Sequence, residues 1–279
     1  MKFRKISNEL IYSTICIKCE LNDGSSSTGT GFFFELERTE EGSLTLIITN
    51  KHVIEDSIIG YLDILTCDEN DDESVKTYAI YDFEEKWIMH PDDDTDLCAL
   101  VLGEHIDEDE LSKEKLRLFY NPITLDYLPT EQDYETFGAI EDVIMIGYPN
   151  GIMDEINMKP IVRRGITATH PNIDYEDTEE FLIDIACFEG SSGSPVFIFN
   201  QGSFIGSDGQ IKLGTQILFI GIMYAGFDKS QEGELVKTPI KDLKIPVIKI
   251  PLNLAIAIKS KKILDFKDLI FVNSSKQMS

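Results

Sequence analysis

Basic residues are scarce: Lys and Arg number 25 against 50 Asp and Glu, a formal net charge of −25. Such a surface repels phosphate backbones and anionic lipid headgroups, so no nucleic-acid or membrane partner is expected. Basic substrates stay open, although solubility is the commoner meaning of such charge. Long apolar runs are also missing, and nothing approaches the ~20 residues of a membrane span. Met1-Lys2-Phe3-Arg4-Lys5 is basic, but Ile6-Ser7-Asn8-Glu9-Leu10 is not the apolar core of a signal peptide. A cytoplasmic chain is expected.

Cysteines are few and odd in number: Cys16, Cys19, Cys67, Cys98 and Cys187. They make a poor disulfide framework. Cys16 and Cys19 form a C-x-x-C, but within the strand-like Ile15-Cys16-Ile17-Lys18-Cys19. Positions three apart on a strand face opposite ways, so a shared metal or disulfide is not expected. No second pair completes a zinc site. Internal repeats and low-complexity tracts are lacking too.

What the chain does have is short β-branched runs separated by turns. Its 279 residues, 42% apolar, allow one large domain or two modest ones. Strands are predicted near 11–21, 31–36, 44–49, 59–66, 75–83 and 97–102. A second set falls near 142–147, 161–169, 181–187, 195–199, 217–224 and 253–258. Between the sets, 105–118 is charged and helix-compatible. Two comparable strand sets with few long helices predict an all-β chain of two packed antiparallel barrels. The N-terminal barrel is placed at about 10–120 and the C-terminal one at about 135–258. A closing helix follows at about 259–269, then a loose tail at 270–279.

Three segments carry possible chemistry. Glu189-Gly190-Ser191-Ser192-Gly193-Ser194-Pro195 is a tight Ser/Gly turn before an apolar strand. Glycine permits backbone shapes that aim consecutive N–H groups at one point, where an anionic oxygen could sit. A plain surface loop reads the same way. Thr49-Asn50-Lys51-His52-Val53 puts a histidine at the rim of a buried strand, where a structural histidine is equally at home. Thr95-Asp96-Leu97-Cys98-Ala99-Leu100 sets an aspartate at the head of an apolar strand. Asp92, Asp93 and Asp94 precede it, but Asp96 alone abuts that strand.

Together these segments resemble the trypsin-like serine peptidases, in particular the bacterial Deg or high-temperature-requirement branch. The order histidine, aspartate, serine suits that family. So does the spacing of 44 between His52 and Asp96. The resemblance extends to Thr28-Gly29-Thr30-Gly31-Phe32, Gly147-Tyr148-Pro149-Asn150-Gly151 and Gly165-Ile166-Thr167-Ala168. It continues through Phe219 to Gly226 and Ala255 to Ser260, and so covers roughly 25–265.

The resemblance implies a single peptidase domain of two six-stranded barrels with a C-terminal helix. It implies Ser192 as nucleophile, His52 as base and Asp96 as orienting acid. The N–H groups of Gly190 and Ser192 would form the oxyanion hole, and no cofactor is required. Ala186, Cys187, Tyr224, Ala225 and Gly226 fall where the family lines its primary specificity pocket. An uncharged P1 residue is expected, with a basic one kept open by Asp184. Ser191 stands where digestive members carry an aspartate, so activation by a freed N-terminus is not expected. After Ser260 the chain is too short for a peptide-binding module of the Deg type. The resemblance implies a selective endopeptidase acting on protein or peptide, controlled by a partner or by loop ordering, in bacterial stress or defence. A catalytically silent two-barrel binding protein and an esterase with the same triad are the alternatives.

Overall fold

The computed structural model describes residues 6–38, 42–206, 208–231 and 248–270. The first sheet contains six principal strands: β1 (Thr14–Leu21), β2 (Ser26–Arg38), β3 (Ser43–Thr49), β4 (Ser57–Cys67), β5 (Glu73–Tyr81) and, after the two-residue β6 (Ile88–Met89), β7 (Cys98–Val101). Two more short strands, β8 (Arg117–Leu118) and β9 (Ile123–Thr124), bring it to nine. The order is β5-β4-β1-β2-β3-β7-β6, with β8 beside β4 and β9 beside β2. The β2–β9 pair is parallel.

The second sheet is a closed barrel. It contains β10 (Asp142–Gly147), β11 (Ile161–Thr167), β12 (Glu180–Asp184), β13 (Pro195–Ile205), β14 (Ile211–Gln231) and β15 (Ile248–Lys259), in the order β10-β11-β12-β15-β14-β13. The two-sheet, all-β architecture expected from the strand pattern is present. The expected closing helix is a 3-10 segment, Ser260–Asp265, running into a helical turn at 266–270. Of the expected tail, Ile270 is buried and 271–279 lie outside the described residues.

Strand alternation builds three cores from these elements. Phe33, Ile47, Leu62, Ile64, Ile80 and Leu100 fill the first sheet. Val143, Met145, Ile183, Val196 and Ile220 fill the second barrel. The intervening residues point the other way. Phe32, Phe34, Leu46 and Ile48 from the first sheet meet Ile146, Phe197, Phe219 and Ile258 from the second, forming one inter-sheet core. The Phe219 ring lies 5.3 Å from Phe32 and 5.5 Å from Phe197. The closing helix seals this core with Ile263 and Phe266. The two sheets therefore bring the end of β3, the start of β7 and the loop before β13 to one seam.

Candidate active site

His52 sits on a single helical turn, Lys51–Ile54, directly after β3. Asp96 immediately precedes β7, which pairs with β3 through Thr49 and Cys98. That pairing sets the two side chains together. Asp96 Oδ2 lies 2.5 Å from His52 Nδ1, and Asp96 Oδ1 accepts the His52 backbone N–H at 3.2 Å. A carboxylate only accepts, so the proton resides on Nδ1 and the Nε2 lone pair is left available. Asn50, fully buried, donates its side-chain amide to the Asp96 carbonyl at 2.7 Å. It opens the helical turn without capping it through its side chain. Its side-chain contact is long-range, 46 residues along the chain.

The neighbouring acids do other work. Asp92 accepts from the Thr95 hydroxyl at 2.8 Å and from Lys262 at 3.1 Å, which holds its carboxyl down at about 2. Asp93 and Asp94 are exposed. Among the described residues, Asp96 is the acid that meets His52.

Ser192 lies on the loop between β12 and β13, across the seam. Gly190 and Gly193 have φ of +81° and +84°, a region open to glycine. Space demands glycine at 193 as well: a Cβ there would lie 1.8 Å from the Thr30 carbonyl oxygen. The Gly193 N–H donates to the Met223 carbonyl at 2.8 Å, and the Met223 N–H donates to the Ser194 carbonyl at 3.0 Å. These bonds stitch the loop to β14. The Ser191 hydroxyl accepts the Phe188 N–H at 3.2 Å, so this serine braces the loop from within. The Ser192 hydroxyl donates to the Tyr224 carbonyl at 3.2 Å. Among the described residues, neither the Gly190 N–H nor the Ser192 N–H serves as a donor to a protein group.

Of the expected pocket residues, Tyr224 contacts Ser192, and Cys187 and Gly226 are neighbours. Cys187 is buried, and its sulfur lies 3.2 Å from where a Cβ on Gly226 would sit. Tyr224 and Ala225 are half-buried along the same stretch of β14. Burial, then the hydrogen-bonded Glu180 carboxylate, pushes the Tyr224 phenol well up, so the phenol stays protonated beside that carboxylate. Asp184 is exposed on β12, opposite in sense to the buried Ile183 and Ile185. Phe188 borders the loop with Arg163 stacked 5.0 Å from its ring centre.

Cys16 and Cys19 lie on opposite faces of β1, Cys19 in the first core and Cys16 outside it. Burial pushes both thiols up to about 11. No disulfide joins the five cysteines, all of which lie among the described residues. Among the described residues, no cluster of metal-ligating side chains occurs, and no helix is long and apolar enough to cross a membrane.

Comparison with known proteins gives the class. Residues 29–206 match the trypsin-like peptidase domain. The chain belongs to that family, a family of serine endopeptidases. Among solved structures it is similar to an inactivated protease paralogue of the scabies mite, at 12% identity and a TM-score of 0.50, covering 94% of this chain and 96% of that one. It is also similar to the HtrA-type protease AlgW, at 17% identity and a TM-score of 0.47, covering 92% of this chain. A third is the Rv3671c protease from M. tuberculosis in its active form, at 14% identity and a TM-score of 0.45, covering 92% of this chain and 80% of that one. The match spans 60% of the length of the HtrA-type protease. A comparison with curated protein sequences returns no match.

Proposed function

We propose that this chain is an active serine endopeptidase with Ser192 as nucleophile, His52 as general base and Asp96 as the group that orients it. The observation that carries the reading is the double grip of Asp96 on His52, which leaves Nε2 able to take a proton. Among the described residues the Ser192 hydroxyl bonds the Tyr224 carbonyl and not His52, so attack requires it to leave that carbonyl for the imidazole. His52 then accepts the hydroxyl proton while the oxygen adds to the scissile carbonyl. The resulting oxyanion is received by the N–H groups of Gly190 and Ser192. His52 returns the proton to the departing amine, leaving an acyl-enzyme that water hydrolyses by the same steps in reverse order.

The pocket bounded by Ala186, Cys187, Tyr224, Ala225 and Gly226 favours an uncharged P1 residue, because the side chains it offers carry no charge. We further propose that the enzyme is selective and acts in the cytoplasm. Its control falls to a protein partner or to ordering of the Gly190–Ser192 loop, and its setting to bacterial stress or defence.

Labelling with a fluorophosphonate probe tests the reading. Wild type is expected to label, with Ser192→Ala and His52→Ala both losing the signal. A folded wild type that stays unlabelled with the probe in excess, and cleaves nothing in a peptide library, would defeat it in favour of a silent binding protein.

A further inference from the structure

Thr30 in β2 is fully buried, and its backbone and hydroxyl together reach three other segments of the seam. Its carbonyl accepts the Thr49 hydroxyl at 2.7 Å, three residues before His52. Its N–H donates to the Ser192 carbonyl at 2.9 Å. Its hydroxyl donates to the Gly190 carbonyl at 2.8 Å and accepts the Tyr148 N–H at 3.0 Å. Thr30 thus joins the strand of the base through its backbone carbonyl, and the loop of the nucleophile and the turn after β10 through its hydroxyl.

The consequence lies in the peptide planes. In a trans peptide the N–H points away from the preceding carbonyl, so fixing a carbonyl aims the next N–H. Four consecutive carbonyls of the loop are held. The Glu189 carbonyl accepts from Asn150 N–H at 2.5 Å and the Ser191 carbonyl from Ser194 N–H at 3.1 Å. These two aim the N–H groups of Gly190 and Ser192. The carbonyl between them, that of Gly190, is held by the Thr30 hydroxyl, and the one that follows, that of Ser192, by the Thr30 N–H. Room for rearrangement is small: a Cβ on Gly190 would lie 2.7 Å from the Tyr148 carbonyl oxygen, and one on Gly147 would lie 2.7 Å from the Thr30 hydroxyl oxygen.

We propose that Thr30 is a positioning residue for the oxyanion hole, its hydroxyl rather than its bulk fixing the Gly190–Ser192 segment. The hydroxyl is needed because one atom must donate to Gly190 and accept from Tyr148 at once. Valine fills the same volume and does neither. The proposal rests on the reading of Ser192 as nucleophile.

The test compares wild type, Thr30→Val and Thr30→Ser in fluorophosphonate labelling and in steady-state cleavage of a peptide ester. Thr30→Val is expected to lower kcat about 10- to 100-fold with KM little changed, since misplaced oxyanion donors weaken transition-state binding alone. Thr30→Ser is expected to restore most of the rate. Equal rates in wild type and Thr30→Val would overturn the proposal, as would a Thr30→Ser enzyme no better than the valine one. If the valine chain does not fold, Thr30→Cys takes its place: a rate below that of Thr30→Ser supports the proposal, and a wild-type rate overturns it. A wild type that does not label defeats the peptidase reading and this role together, whereas a labelling wild type matched by Thr30→Val defeats this role alone.

Discussion

The Asp96 carboxylate holds His52 at two points, one oxygen on the imidazole Nδ1 and the other on the backbone N–H. Replacing it with an amide preserves shape and removes the obligate acceptor. Asp96→Asn is therefore expected to fold as wild type and to lose about four orders of magnitude in kcat through the wrong imidazole tautomer. Peptide cleavage, with circular dichroism as the check on folding, measures this.

Asp92 shapes the turn that leads to Asp96. Its carboxyl sits at about 2, below its ordinary value of 3.8, first through the Thr95 hydroxyl and then through Lys262. A depressed folded value gives stability that is present above the unfolded value and lost as pH falls through the folded one. Asp92→Asn should therefore lower the thermal midpoint between pH 5 and pH 7. The gap from wild type should close as pH drops from about 4 toward about 2. A gap that persists unchanged to the acid end would contradict the assignment.

Gly226 faces the Cys187 sulfur closely enough that even a Cβ needs the neighbour to give way. Gly226→Val should narrow the pocket and reorder P1 preference toward Gly and Ala. A shift of about 10- to 200-fold in relative kcat/KM is the scale for one or two methylenes in such a slot. A peptide library with P1 varied reads this directly.

Phe219 is the ring shared by Phe32 of the first sheet and Phe197 of the second, and it is fully buried. Phe219→Ala should cost about 3–5 kcal/mol in urea unfolding. It should also lower the labelling rate of Ser192, because the void opens between the two halves that carry the site.

Much of this architecture is legible in the sequence because its strands alternate against real cores. The apolar run 44–49 reads as a buried strand, and both its faces are occupied, Leu46 and Ile48 on one and Ile47 on the other. Asp96 can be chosen over Asp92, Asp93 and Asp94 because it alone abuts an apolar strand, and β3–β7 pairing is what delivers it to His52. The two-residue strands β6, β8 and β9 are too short to show any period. The outer hairpin, Asn200–Ile205 against Ile211–Gln216, leaves Ile205, Ile211 and Leu213 exposed, so no apolar alternation marks it. The helix Glu131–Thr136 is announced by a Thr130–Asp133 capping box that passes unnoticed among acidic residues. Thr30 is invisible for a different reason: its partners lie 118 and 160 residues away.

The division of the chemistry between two sheets has a consequence for the life of the molecule. His52 and Asp96 belong to the first sheet and Ser192 to the second, joined through the core around Phe32, Phe197 and Phe219. A half-made or half-unfolded chain holds a base without a nucleophile, or a nucleophile without a base. Docking of the halves is therefore the step that would complete the proposed site, and loosening of that seam would separate base from nucleophile. The topology ties the chemistry to the integrity of the seam.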